Sequence, residues 1–118
     1  LVRVPPVSTY DLAEAINRFP EATFILTYIH YREAEPILNA CPESENFYIE
    51  LTSHYLFGAY PNQLQSLVEK MGAERILFGS GMPLKYPEAA LMKIECLDVS
   101  EEEKEKILHK NAERILGL

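Results

Sequence analysis

Residues 75–83 read Arg-Ile-Leu-Phe-Gly-Ser-Gly-Met-Pro, a short apolar run that leads directly into a glycine-rich turn. Three consecutive apolar residues bounded by turn residues are typical of a short, fully buried strand, which we predict over residues 75–79. Just upstream, Gly72 follows a helical pattern in the position where a left-handed cap ends a helix. The stretch therefore predicts a helix, a buried strand and a loop in succession.

The same alternation extends upstream. A helix capped by Ser8 or Thr9 places Leu12, Ile16 and Phe19 on one apolar stripe. A nearly continuous apolar run over 23–29 predicts a strand covered on both faces. A helical pattern over 31–41 separates this strand from a second one over 47–52.

The second strand has two different faces. Phe47, Ile49 and Leu51 fall on one face, and the residues between them, Tyr48, Glu50 and Thr52, fall on the other. The polar face is therefore predicted to line a site or a pocket.

Helices also follow the second and third strands. One is predicted to begin at Pro61 and to end at Gly72, and another to begin at Pro87. Ser100 and Glu103 have the spacing of a capping box, which predicts the start of a further helix. A last helical turn or two, over 112–116, is predicted before the end of the chain.

The fold class that follows is α/β with parallel strands. Three parallel strands would expose two edges, so they are expected to be part of a larger sheet or barrel. A TIM (β/α)8 barrel takes about 250 residues, and the 118 residues here would supply a little under half of one. The chain is one domain or part of one.

Composition limits the partners. Eleven Lys and Arg residues against 18 Asp and Glu residues give a net charge of −7, which disfavours nucleic acid and anionic lipid. No apolar run approaches the length of a membrane span, and no export signal is visible, so we expect a cytoplasmic protein. Cys41 and Cys96 are expected to be reduced and packed as small apolar side chains.

Residues 72–83 and 100–116 carry a family resemblance. Gly-Ala-Glu-Arg-Ile-Leu-Phe-Gly-Ser-Gly-Met-Pro and the later Asn-Ala-Glu-Arg-Ile-Leu resemble the C-terminal end of the amidohydrolase-related family of metal-dependent TIM-barrel hydrolases and decarboxylases. The resemblance implies that residues 1–118 form the last three β/α units of such a barrel. It also implies a small-molecule substrate bearing a carboxylate or a ring, and a divalent metal such as zinc.

Two positions depart from the family pattern. The family has an Asp after Gly-Ser that serves as metal ligand or proton acceptor, and the matching residue here is Gly81. Tyr28 stands where the family often has a His, and His30 follows two residues later. None of the family's usual metal ligands is therefore carried over, and we expect no tight stoichiometric metal in this chain.

The residues themselves leave two interpretations of the loop edge open. His30, Glu50 and His54 follow neighbouring strands and could form a three-ligand zinc site, or they could be polar residues at a loop rim. Glu50 is expected either to pair with a cation such as Arg75 or Arg32, or to act as an acid or base.

From these positions we assign candidate roles. Glu50 and His54 are the candidate catalytic residues, and Tyr28, His30 and Ser80 are the candidate substrate-binding residues. The turn around Ser80 could bind an anion through its backbone N–H groups, or it could simply be a tight turn.

Two functions remain open. The first is part of a TIM-barrel hydrolase or decarboxylase whose isolated 118-residue chain is incomplete as a catalyst. The second is a degenerate barrel without metal that binds a ligand or has a structural role, which Gly81 favours. Because a chain with two open parallel edges and uncovered helix faces should not remain a rigid monomer, we also expect self-association or a missing N-terminal segment that completes the barrel. The start at Leu1 without Met also suggests that something upstream was removed.

Overall fold

Helices and strands alternate along the chain in the computed structural model, which describes residues 7–52 and 61–118. The elements are α1 (Thr9–Arg18), β1 (Phe24–Leu26), α2 (Tyr31–Ala40), β2 (Phe47–Glu50), α3 (Pro61–Met71), β3 (Ile76–Leu77), α4 (Pro87–Glu95), α5 (Glu101–Glu105) and α6 (Asn111–Leu116). A 3-10 turn, Ala73–Arg75, precedes β3, and a π-helical segment, Lys106–Lys110, joins α5 to α6.

The three strands form one parallel sheet in the order β1-β2-β3. Phe24 lies beside Phe47 in the first pair, and Ile49 lies beside Ile76 in the second. A parallel sheet with a helix after each strand is the α/β architecture that the sequence predicts. Because all three strands run the same way, their carboxyl ends meet at one edge.

Apolar side chains from the helices pack against one face of this sheet. Burying them is the main favourable contribution to the stability of the chain, at about 25 cal/mol per Å² of apolar surface. The largest side chains that are fully buried are Phe47, Ile16, Ile37, Ile49, Leu67, Ile76, Ile94 and Ile107.

The other face of the sheet is partly open. Ile25 in β1 is 44% exposed, and Tyr48 and Glu50 in β2 are half-buried. The prediction that the first strand is covered on both faces is therefore wrong for this chain by itself. The strand is also shorter than predicted, and the chain turns at Tyr28, whose φ of 59° lies in the left-handed region.

Two side chains predicted to be buried are exposed. Phe19 is 45% exposed, because α1 ends at Arg18 and the non-helical backbone of Phe19 takes it off the apolar stripe. Both cysteines are free, as predicted, but only Cys41 is buried and Cys96 is exposed.

The predicted helix starts at Ser8 and Ser100 are confirmed. The Ser8 hydroxyl accepts a hydrogen bond from the backbone N–H of Tyr10 at 3.2 Å. Gly72 follows the last residue of α3 with a positive φ of 81°, as predicted, but its ψ of 147° lies outside the αL helical region, so the helix ends without the predicted left-handed cap conformation. Ser100 and Glu103 form the reciprocal capping box at the start of α5.

The C-terminal helical segment is hydrogen-bonded to the residues around β3 as well as packed against them. The backbone N–H of Phe78 donates to the carbonyl of Ile107, within the π-helical segment, at 2.9 Å. The buried Asn111 side chain donates to the carbonyls of Ala73 and Ile76 at 2.7 and 2.9 Å. The Asn of the family-like signature is therefore a structural clamp on β3.

Arg114 extends this clamp at the amino end of the sheet. Its guanidinium donates to the carbonyl of Glu74 at 3.0 Å and to the Tyr48 hydroxyl at 3.3 Å. Asn111 and Arg114 thus hold the last helix at the amino ends of β2 and β3, and the carboxyl edge is left to the loops.

Within residues 7–52 and 61–118, none of the helices has the length and apolar character needed to cross a membrane.

Candidate functional site at the carboxyl edge of the sheet

Glu50 ends β2 at the carboxyl edge, where the active sites of parallel α/β proteins are built. Its carboxylate atom Oε1 accepts a hydrogen bond from the backbone N–H of Thr52 at 2.9 Å. The Thr52 hydroxyl donates to the same oxygen. Since Thr52 is only 7% exposed, this pair of donors fixes the Glu50 carboxylate close to the end of its own strand.

Gly79 provides the space for this carboxylate. A Cβ atom added at Gly79 would lie 1.2 Å from Glu50 Oε1 and 2.4 Å from both Glu50 Cδ and Thr52 Oγ1. No side chain larger than hydrogen fits there unless the carboxylate moves. The turn that follows β3 therefore approaches the end of β2 through a glycine, and Glu50 lies between the two segments.

Lys85 brings a positive charge to the same edge. Its ammonium group donates to the backbone carbonyl of Thr52 and lies 5.3 Å from the centre of the Tyr28 ring. A cation over an aromatic face is attracted by the negative potential of the ring. Lys85 thus connects the loop after β3 to the segments that follow β1 and β2.

The other predicted binding residues are placed differently. His30 is exposed and immediately precedes α2, and its backbone N–H donates to the Glu33 carboxylate at 2.9 Å. The Ser80 hydroxyl accepts from the backbone N–H of Met82 at 3.3 Å. Both residues therefore have a local structural role in the segments that contain them.

Tyr28 fits a binding role better, since its side chain is 61% exposed and lies against Lys85. His54 lies outside the described residues. The structure therefore brings together Glu50 and Tyr28 through Thr52 and Lys85, and it leaves the candidate roles of all five residues as predictions.

Arg75 does not pair with Glu50. Its guanidinium donates to the carbonyl of Ser44 at 2.7 Å and to that of Met71 at 3.0 Å, and it lies over the Phe47 ring. These contacts hold it at the amino end of β2 and β3. The predicted pairing with Arg75 is wrong, because Arg75 precedes β3 while Glu50 ends β2.

A divalent metal does not fit the described part of this edge. Gly81 offers no side chain, and a Cβ atom added there would lie 2.7 Å from Lys85 Cδ. In the described ranges, no three His, Cys, Asp or Glu side chains are grouped so that they could hold a metal ion.

A cavity lies at each end of the sheet. One of about 360 Å³ lies beside the end of β1 and is lined by Ile25, Tyr28 and Glu33 among others. Another, of about 480 Å³, lies at the amino end and includes Arg75 and Arg114 in its lining. The arginines of the second cavity already bind backbone carbonyls, so the first cavity is the better candidate for a ligand.

Comparison with protein families shows which family the chain belongs to. The family model described as amidohydrolase matches residues 3–118, almost the entire chain. The chain belongs to the amidohydrolase family. No curated protein matches it.

Solved structures show the corresponding fold. An uncharacterised TIM-barrel protein from Bordetella bronchiseptica superposes with a TM-score of 0.73 at 23% identity, over 92% of this chain and 40% of that one. A 2,6-dihydroxybenzoate decarboxylase from Rhizobium gives 0.68 at 21% identity, over 92% and 39%. Amidohydrolase 2 from Bifidobacterium longum subsp. infantis gives 0.66 at 22% identity, over 93% and 46%.

This amidohydrolase-family chain thus spans about 40% of the length of the first of these structures. Its three parallel strands and their helices correspond to part of a TIM barrel, as predicted. The open face around Ile25 is the face that points inward when a barrel closes.

The sequence places Thr52 on the polar face of the second strand, but it does not reveal the two hydrogen bonds from Thr52 to Glu50. It also does not reveal the roles of Gly79 and Lys85 at this edge. A single basic residue in the loop after the last strand, four positions beyond Gly81, was the available signal for Lys85. The sequence predicts Gly79 only as the end of the third strand and the start of the glycine-rich turn, because its contact with the Glu50 carboxylate depends on the pairing of β2 with β3.

Proposed function

We propose that this chain supplies one side of the active site of an amidohydrolase-family barrel that hydrolyses or decarboxylates a small molecule. The molecule would bear a carboxylate or a ring, and Glu50 would act on it as the acid or base. In this proposal, residues 1–118 together form the C-terminal portion of the barrel domain.

The position of the Glu50 carboxylate carries this proposal. A carboxylate offers about four lone-pair sites on its two oxygens, and Thr52 directs two donors to one of them, Oε1. The group is thus oriented by its neighbours and retains capacity to exchange a proton with a ligand. An oriented carboxylate at the carboxyl ends of parallel strands is the arrangement that general acid–base catalysis requires.

The proposal also includes the incompleteness of the chain as a catalyst. About 40% of a barrel contributes only some of the loops that surround a barrel active site. Ile25 on the open face further indicates that other strands belong against β1. We therefore expect the 118-residue chain to bind a suitable ligand weakly and to show no turnover.

The second candidate is a degenerate barrel that binds a ligand without metal-assisted chemistry. Gly81 favours it, because the side chain that the family uses at this position is missing and Lys85 lies across the space. The two candidates predict the same binding edge, and they differ in whether the completed barrel turns its ligand over.

A titration with 2,6-dihydroxybenzoate tests the proposed site. This ring-bearing carboxylate is the ligand in one of the structural relatives, a 2,6-dihydroxybenzoate decarboxylase that superposes with a TM-score of 0.69. The backbone amide signals of Gly79 and Gly81 can be followed by NMR, since the chain contains only 5 glycines. We expect saturable shifts at both glycines and no release of CO2.

The matched variants are Glu50→Gln and Glu69→Gln. Glu69 is an exposed carboxylate on α3, where it accepts from Gln65 at 3.0 Å. Glu50→Gln should change the affinity at least threefold, and Glu69→Gln should leave it unchanged. Shifts confined to the amino end of the sheet, or equal effects of both substitutions, would remove the basis for a role of Glu50.

A further inference from the structure

The Lys85 side chain lies next to Tyr28 and Gly81, the two positions at which this chain departs from the family pattern. Its ammonium nitrogen lies 5.3 Å from the centre of the Tyr28 ring, and Tyr28 stands where the family often has a His. Its Cδ atom lies 2.7 Å from the place that a Cβ atom on Gly81 would take, with Cβ and Cγ at 3.1 Å. An aspartate at position 81 would therefore collide with the methylene chain of Lys85.

The surroundings of the ammonium group are those of a cation site. Three kinds of group that attract cations lie at this edge: the face of the Tyr28 ring, the backbone carbonyl of Thr52 and the carboxylate of Glu50. The ring and the carbonyl contact Lys85 directly. The Glu50 carboxylate accepts from the N–H and hydroxyl groups of Thr52, the same residue whose carbonyl binds Lys85.

We propose that the Lys85 ammonium group is the resident cation of this carboxyl edge and takes the place of a divalent metal. The chain then carries its positive charge on a tethered side chain, which a chelator cannot remove. A second cation would meet both the methylene chain of Lys85 and the repulsion between like charges. This inference concerns the cation alone, and it holds whichever substrate or reaction the completed barrel has.

The first test removes Lys85 and offers a small cation in its place. In Lys85→Ala, ethylammonium chloride should shift the amide signals of Gly79 and Gly81 saturably, whereas ethanol, a neutral probe of similar size, should have at least tenfold less effect. Wild-type protein should respond to neither probe at these glycines. Equal responses to ethylammonium and ethanol, or none to either, would overturn the proposal.

Lys70→Ala is the matched control. Lys70 is also a lysine over a tyrosine ring, 5.7 Å from the centre of Tyr31, and it pairs with Glu35 at 2.7 Å between helices α3 and α2 rather than in the loops of the candidate edge. Its removal should leave Gly79 and Gly81 insensitive to ethylammonium. A far-ultraviolet circular dichroism spectrum checks that each variant is folded, and Lys85→Ser replaces Lys85→Ala if the latter is not.

The second test asks whether Lys85 excludes metal. Tyr28→His and Gly81→Asp together restore the side chains of the family pattern, and aspartate tolerates the left-handed backbone of position 81, where φ is 66°. We expect zinc to bind at least tenfold more tightly when Lys85→Ala is added to this pair than when Lys85 is kept, by calorimetric titration with zinc chloride. A triple variant that binds zinc no more tightly than the pair would contradict the replacement of the metal by Lys85.

Discussion

Gly79→Ala should be among the most destabilising single-methyl substitutions in this chain. The added methyl group would lie 1.2 Å from Glu50 Oε1, so the carboxylate must leave its position between β2 and the turn after β3. It would then lose both hydrogen bonds from Thr52. The substitution therefore tests whether this contact exists in the folded chain.

The expected cost follows from opposing contributions. Forcing a methyl group into a filled site costs about 1–3 kcal/mol, and each lost hydrogen bond adds about 1 kcal/mol. Alanine also reduces the freedom of the unfolded chain, which returns about 0.4–1 kcal/mol. A net loss of about 2–4.5 kcal/mol in the free energy of unfolding is expected.

Urea unfolding followed by circular dichroism measures this loss, and a double-mutant cycle assigns it. In a Glu50→Ala background the carboxylate is gone and the Thr52 hydroxyl can rotate away, so Gly79→Ala should cost less than about 1 kcal/mol. If Gly79→Ala costs the same in both backgrounds, the carboxylate is not what fills the space beside Gly79.

Three further predictions concern other parts of the fold. Ser100→Ala should lower the free energy of unfolding by about 1 kcal/mol, measured by urea unfolding, because the N–H of Glu103 loses its acceptor; no measurable change would place the helix start elsewhere. Asn111→Ala should lower the free energy of unfolding by about 2–3 kcal/mol in the same assay, because the carbonyls of Ala73 and Ile76 lose their donor. A loss below about 0.5 kcal/mol, which is typical of surface substitutions, would show that Asn111 does not hold β3 in place. The pKa of the Glu74 carboxyl is lowered, first by a hydrogen bond from its own backbone N–H and then by a hydrogen bond from Lys106. The ionised Glu74 carboxylate therefore stabilises the folded chain above the ordinary glutamate pKa of about 4.3, and this stabilisation is lost as the pH falls through the lowered pKa. Glu74→Gln should therefore flatten the fall in stability on acidification, and an unchanged pH profile would argue against this contribution.

Local signals in the sequence predicted most of the secondary structure. The bounds of α3 follow from Pro61 and Gly72, and the start of α5 follows from the capping box at Ser100, since each depends on residues close in the chain. The alternation in β2 also predicted correctly that Glu50 lies on the face opposite Phe47 and Ile49. These features could be found because they need no knowledge of distant partners.

Features that depend on distant contacts could not be predicted in the same way. The π-helical segment coincides with the hydrogen bond from Phe78 to Ile107, which joins residues 29 positions apart (107 minus 78). Lys85 contacts Thr52 and Tyr28 from two other β/α units, so only the folded chain reveals its place at the edge. A pairing of Glu50 with Arg75 was reasonable from residue types, but the two residues belong to opposite ends of the sheet.

Light scattering of the purified 118-residue chain tests most directly whether it is part of a larger barrel. The open face around Ile25 and the two edges of the three-stranded sheet, unpaired among residues 7–52 and 61–118, should drive association. We expect a mass of at least twice 13.5 kDa, which should fall when Ile25→Lys places a charge on this face. A monodisperse 13.5 kDa monomer that unfolds cooperatively would contradict the account.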